Sequence, residues 1–238
     1  MEKLELAKWA SDYAIKKGAD QTAVNVSNSR NVEVAVRDGD IETLKETTEN
    51  SLGLYIYLDH KYSGHFTNDL RKESVKKLID EAVAATKYLS ADEFRELPDP
   101  KYYPKDTSKD LKLVDPDHDK LTTDERIKIA REIESSGVGV SDKIISVRGS
   151  FSDSMSETAK VQSNGFEGIT KSTFFSASAG VTAKDNDARP EDWAWNGNRF
   201  FNKLTDFSEI GTMAADRALR KIGQQKIDSG QYEMLVEN

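Results

Sequence analysis

The stretch from Ser154 to Ala183 constrains this chain more than any other, because two long runs of alternating side chains meet at Ser163-Asn164-Gly165. Asn and Gly both accept the positive φ of a tight turn, so Asn-Gly between alternating runs predicts a β-hairpin. The two-residue period of a strand sets Thr173, Phe175, Ala177, Ala179, Val181 and Ala183 on one face of the second arm. Ser172, Ser176, Ser178 and Thr182 fall on the other. Nearly all are small, which lets another layer or an extended peptide come close to the backbone. Two readings stand side by side: an inner strand of a sandwich packed through small side chains, or a sheet face open to a peptide.

The rest of the chain is ordered by the same kind of periodicity. Between Glu2 and Lys17, residues Leu6, Ala7, Ala10, Tyr13 and Ala14 share one helical face, and Gly18 supplies a stop. Thr22–Ser27, Val32–Arg37, Ile41–Thr47, Leu52–Leu58 and Tyr62–Thr67 read as short strands of an antiparallel meander, turning at Asp38-Gly39 and Asp59-His60-Lys61. A second helix from about Arg71 to Leu89 carries Val75, Leu78, Ile79, Ala82 and Ala85 on one side. The polar stretch Ser90–Asp110 holds Pro98, Pro100 and Pro104 without periodicity, which places a domain boundary near residue 104.

Beyond that boundary, Thr122 and Glu125 have capping-box spacing ahead of a helix bearing Ile129, Ala130 and Ile133, which Gly137 and Gly139 end. A strand near Ile144–Ser152 leads into the hairpin. Asp206 and Glu209 bracket the start of a last helix whose stripe of Gly211, Ala214, Ala215 and Ala218 suits close packing. Tyr232, Met234 and Val236 alternate with Glu233 and Glu237 as a strand would. Either that strand closes the sheet of the second domain, or the natural chain continues and the domain is incomplete at its C-terminal end. The fold class expected is α+β: a helix-flanked antiparallel meander domain (1–104), then an antiparallel β-rich domain with peripheral helices (105–238).

Charge and composition exclude several functions. Acids outnumber bases 42 to 34, for a net charge of -8, and no basic stripe interleaves with aromatics, so no direct nucleic-acid contact is expected. With no cysteine there is no disulfide framework, thiol nucleophile or thiolate metal site. No stretch reaches the length of a membrane span and the N-terminus has no apolar h-region, so no membrane partner and a cytoplasmic location are expected.

The search for chemistry is mostly negative. His60, His65 and His118 have no helical zinc spacing. Asp115-Pro116-Asp117-His118-Asp119 resembles the start of a calcium loop but puts Lys120 where the turn needs Gly and Arg126 where the bidentate Glu belongs, so a solvated acidic loop is expected. Gly137-Val138-Gly139 lacks the third glycine of a dinucleotide fingerprint, there is no G-x-S-x-G elbow, and Ser74/Lys77 lack the companion motifs of an S-x-x-K site. No catalytic, cofactor or metal residue is assigned. Trp193, Trp195, Phe200 and Phe201, beside an acidic loop, are the recognition candidates, with Trp193, Trp195 and Phe200 as a possible interface. Filling the core of the hairpin is the competing reading.

Several segments together carry a resemblance. Val34-Ala35-Val36-Arg37-Asp38-Gly39-Asp40-Ile41-Glu42, Gly53-Leu54-Tyr55-Ile56, Gln162-Ser163-Asn164-Gly165, Glu191-Asp192-Trp193, Arg220-Lys221-Ile222 and Lys226 through Val236 resemble the TldD/PmbA family, also called the modulator of DNA gyrase family. Asp192-Trp193 and Arg220-Lys221 look more like its PmbA (TldE) branch. The resemblance implies a zinc metallopeptidase system of paired, related subunits enclosing a cavity in which extended peptides are cut. It implies zinc ligands in the TldD branch at positions beyond this chain, so none is carried over here. What it implies for this chain is a non-catalytic share of the work, as dimer contact and cavity wall, with a related subunit and a peptide as partners. The alternative is a self-contained interaction module, with direct gyrase or DNA modulation disfavoured by the acidic charge.

Overall fold

The computed structural model describes residues 2–106 and 109–236. Along the chain it runs α1 (Lys3–Lys16), β1 (Gln21–Arg37), β2 (Asp40–Leu58), β3 (Lys61–Thr67), α2 (Lys72–Thr86), α3 (Thr123–Val138), β4 (Ile144–Gln162), β5 (Phe166–Ala183), β6 (Glu191–Asn198) and α4 (Phe207–Arg220), with short 3-10 turns between. The strands form one antiparallel sheet in the order β3-β2-β1-β4-β5-β6. The class is α+β.

The first unit differs from the meander expected of it in having three strands instead of four or five. Thr22–Ser27 and Val32–Arg37 are one strand, β1, and Ile41–Thr47 and Leu52–Leu58 are one strand, β2. The polar residues between them stay extended because they are paired: Ser29 lies opposite Glu49 on one side and Ser156 on the other. A ladder on both sides satisfies the backbone there without any apolar burial.

All four helices lie on one face of the sheet. In β1, Val24 and Val26 sit in the core built with α1 and α2, while Val34 and Val36 pack against Ala130 of α3. These valines share parity along a strand whose register with β4 is unbroken, so both helical layers cover the same side. The second core joins Phe151, Phe175, Ala177, Ala179 and Val181 to Ile133, Ile210 and the small residues of α4. The hairpin's small apolar face thus packs under helices, in place of the second sheet that a sandwich would supply.

Close approach is written into two glycines, and a third sets the hairpin turn. A Cβ on Gly149 would stand 2.2 Å from the Ala130 carbonyl oxygen, which is how near α3 comes to β4. Gly211 of α4 meets α3 equally closely, at the Ile133 carbonyl and Ser136 Oγ. At the hairpin tip, Gly165 has φ +109°. Asn164 beside it donates to the Pro98 carbonyl and accepts from Tyr103 Oη, tying the proline-rich crossing to the turn. The expected capping box is present, with Thr122 and Glu125 bonded reciprocally.

The terminal strand anticipated at Tyr232–Val236 does not form. The segment is open chain with Met234 82% and Leu235 100% exposed, and Glu237 lies outside the described residues. The outer edge of β6 is met by side chains instead: Lys221 Nζ donates to the Glu191 carbonyl and Arg217 Nη1 to the Trp193 carbonyl.

Candidate functional site

With the α-helices on one side, the other face of the sheet has no α-helix over it among the described residues, and only the proline-rich crossing reaches it, at Leu97 and Tyr103 near the hairpin tip. Its cross-strand rows follow from the register. Arg148, Gly180 and Trp193 form one row, Ser150, Ser178 and Trp195 the next, and Ser152, Ser176 and Gly197 a third. Short hydroxyl side chains make the floor. Ser156 and Ser172 are linked Oγ to Oγ at 3.1 Å, and Ser27 and Thr158 at 2.9 Å.

The aromatic candidates separate between the two faces. Trp193 and Trp195 are two residues apart on β6, so both point to the bare face, where they are 56% and 54% exposed. Phe174 joins them from β5 and is 41% exposed. Gly197 exists for this group: a Cβ there would lie 2.7 Å from the Phe174 ring and 2.8 Å from that of Trp195. Above Gly180, by contrast, nothing lies within 4 Å of where a Cβ would be. Phe200 sits in the turn after β6, half-buried under Lys203, whose Nζ is 5.2 Å from the ring centre. Phe201 is pulled into the helix-side core, edge-on to Phe151 and Phe175.

Charge gathers beyond the hydroxyl rows. Glu42 accepts from Arg148 Nε and, at 2.9 Å, from Arg37 Nε. These two guanidiniums, Arg148 foremost, hold its carboxyl below the usual carboxylate range. Arg148 also donates to Ser150 Oγ at 2.6 Å. At the far corner of the same face Tyr55, Tyr62 and Phe66 stack or meet edge-on, with Arg95 over Tyr62.

The acidic loop is solvated only in part: Pro116, Asp117 and Asp119 are exposed as expected, while Asp115 and His118 turn inward. Asp115 is 7% exposed, its Oδ2 accepting the Phe201 N–H and its own N–H donating to Thr173 Oγ1, both at 2.8 Å. His118 is 2% exposed, with Nε2 2.9 Å from Asp153 Oδ1 but not aligned for a hydrogen bond. Arg126 holds the same carboxylate in a fork, through Nε to Oδ2 and Nη2 to Oδ1. A visible signal was available. Asp153 has the parity of Phe151 in β4, and Arg126 falls three and seven residues before Ile129 and Ile133, so both sit on core faces where only a paired charge survives.

Zinc finds no fitting donor set among the described residues. His60 lies in the β2–β3 turn and His65 on β3, where Nε2 is 2.9 Å from Ser63 Oγ and burial lowers the pKa of the imidazole. His118 is buried with Nε2 beside Asp153, and among the described residues no three His, Asp or Glu side chains gather as a metal centre would require. No chemical step is therefore routed through a metal held by these residues. Among the described residues no helix is long and apolar enough to cross a membrane.

Comparison with known proteins bears on this arrangement. The model of PmbA/TldA metallopeptidase domain 1 matches residues 23–86, and that of the PmbA/TldA metallopeptidase central domain matches residues 116–222. The chain is 26% identical to the metalloprotease PmbA homolog of Haemophilus influenzae, over 98% of this chain and 51% of that protein. It is 25% identical to the metalloprotease PmbA of Escherichia coli O157:H7, over 99% and 50%. It thus spans about half the length of the curated relatives it matches. A solved structure from Bacteroides thetaiotaomicron, described as a modulator of DNA gyrase, is similar with a TM-score of 0.83 and 37% identity, covering 96% of this chain and 52% of that one. TldE from Thermococcus kodakarensis shares the fold, with a TM-score of 0.63 at 16% identity over 90% of this chain and 46% of that one. The two family models between them cover both halves of the sheet, β1 to β3 and β4 to β6, and on that ground the chain belongs to the TldD/PmbA metallopeptidase family.

Proposed function

We propose that this chain is part of a TldD/PmbA-type metallopeptidase subunit and serves proteolysis of peptides as the non-catalytic, PmbA/TldE-like partner. In this reading it supplies contacts to a related subunit and one wall of a peptide cavity. The observation that carries it is the bare sheet face, floored by serines and edged by Trp193 and Trp195, on the side away from all four helices. Short side chains allow an extended chain to approach, and large aromatics at its edge suit the centre of a contact. Zinc then belongs to the related subunit, and the setting is cytoplasmic. Residues 1–104 and 105–238 act as two units that share the sheet.

A second reading is favoured by one specific observation, the exposure of both tryptophans. On it the chain is a protein-interaction module without enzymatic activity, engaging a target such as DNA gyrase through Trp193, Trp195 and Phe200.

Peptide cleavage separates the two. The chain alone should leave an unstructured peptide intact, and mixing with a TldD-like subunit should produce zinc-dependent cleavage that Trp193→Ala and Trp195→Ala reduce. Cleavage by this chain alone would overturn the non-catalytic assignment. A complex whose cleavage is indifferent to both substitutions would overturn the role of the face.

A further inference from the structure

The sheet has a second unusual boundary, far from the tryptophans. β3 pairs only with Leu52–Leu58, so the first half of β2, Asp40–Ser51, has β1 on one side and, among the described residues, no strand on the other. The Tyr57 carbonyl accepts the Asp20 N–H, on the β1 side. Register with β1 is unbroken from there back to Thr43, so Thr43, Lys45, Thr47 and Glu49 turn their backbone groups toward β1. Leu44, Glu46, Thr48 and Asn50 direct theirs outward. β6 guards its outer carbonyls with Lys221 and Arg217, whereas no side chain among the described residues does so here. An unguarded edge of this length is a template for strand pairing.

Charge singles out one occupant. Lys45 and Glu49 lie on the same face of β2 about 13 Å apart along the strand, too far to meet each other. Neither makes an ion pair elsewhere among the described residues. Set against an antiparallel copy of itself centred on Thr47, the strand places Lys45 opposite Glu49 twice over. It also puts Leu44 opposite Asn50 and Glu46 opposite Thr48, the residues whose N–H and C=O are free. Centring on Glu46 would oppose two carboxylates, on Lys45 two ammonium groups, and on Thr48 no opposite charges at all. We propose that Thr43–Ser51 pairs antiparallel with the same segment of a second copy of this chain, across a two-fold axis at Thr47. The contact is isologous and joins two six-stranded sheets into one.

The proposal rests on the sheet edge and not on the peptidase reading, so either can fail alone. The chain has no cysteine, which makes Thr47→Cys its only thiol. On the axis, in a non-hydrogen-bonded pair, two such residues have Cα atoms about 4.5 Å apart, within the span of a disulfide. Mild oxidation should convert Thr47→Cys to a covalent dimer, while Thr48→Cys, which faces Glu46, stays monomeric under the same conditions. Sedimentation should show self-association weakened roughly tenfold or more by Lys45→Glu. Adding Glu49→Lys to that variant should restore it. Failure of Thr47→Cys to cross-link, cross-linking no faster than Thr48→Cys, or no rescue in the double variant would overturn the pairing.

Discussion

At Asp153 a carboxylate almost wholly removed from water is balanced by the guanidinium of Arg126, with His118 against the same oxygen. Such a pair contributes little net stability as a unit, but breaking it strands a buried charge. Asp153→Asn should therefore cost about 3–5 kcal/mol, read as a lowered urea midpoint. Replacing Asp153 and Arg126 together with Leu and Met should cost much less, and equal costs for the two variants would contradict the account. The expectation of a solvated acidic loop missed this node because local composition was weighed without parity. Asp115 and His118 are drawn inward by partners far along the chain, Thr173, Phe201 and Asp153, and no local spacing announces those.

At the scale of the elements, the hairpin was legible because its information is local: Asn-Gly for the turn and a two-residue period for each arm. The helices were legible for the same reason, down to the Thr122–Glu125 box. The length of β1 and β2 was not, since Asn28–Asn31 and Thr48–Ser51 have no apolar alternation and are held straight by neighbours on either side. The strand assigned to Tyr232–Val236 failed in the opposite way, having the pattern but no pairing partner among the described residues. Helix placement yields a sharp contrast between two glycines of adjacent strands. Gly149→Ala pushes a methyl into the Ala130 carbonyl of α3 and should destabilise by about 1–3 kcal/mol. Gly180→Ala, on the bare face, should change stability by no more than about 0.5 kcal/mol. Thermal unfolding of the two variants checks this, and a similar loss in both would mean that the face above Gly180 is covered.

For the whole molecule, what matters is that all four α-helices of the described residues lie on one side. That asymmetry follows from parity: the valines of β1 and the small residues of β5 all turn toward the helices, which leaves serines, Gly180 and the two tryptophans on the other side. The hydroxyl face was visible in the sequence of the hairpin. That Trp193 and Trp195 share it was not, because it depends on the pairing of β6 with β5, and the adjacent Phe201 goes to the core instead. Trp9 is the third tryptophan, stacked on Tyr13 at the far end of the chain, so Trp9→Phe leaves the bare face as the sole source of indole emission. The most direct measurement is the emission and acrylamide quenching of that variant before and after adding a TldD-like subunit with a peptide. The account predicts a blue shift and reduced quenching as the face is covered, and a complex that co-elutes while both readings stay unchanged would contradict it.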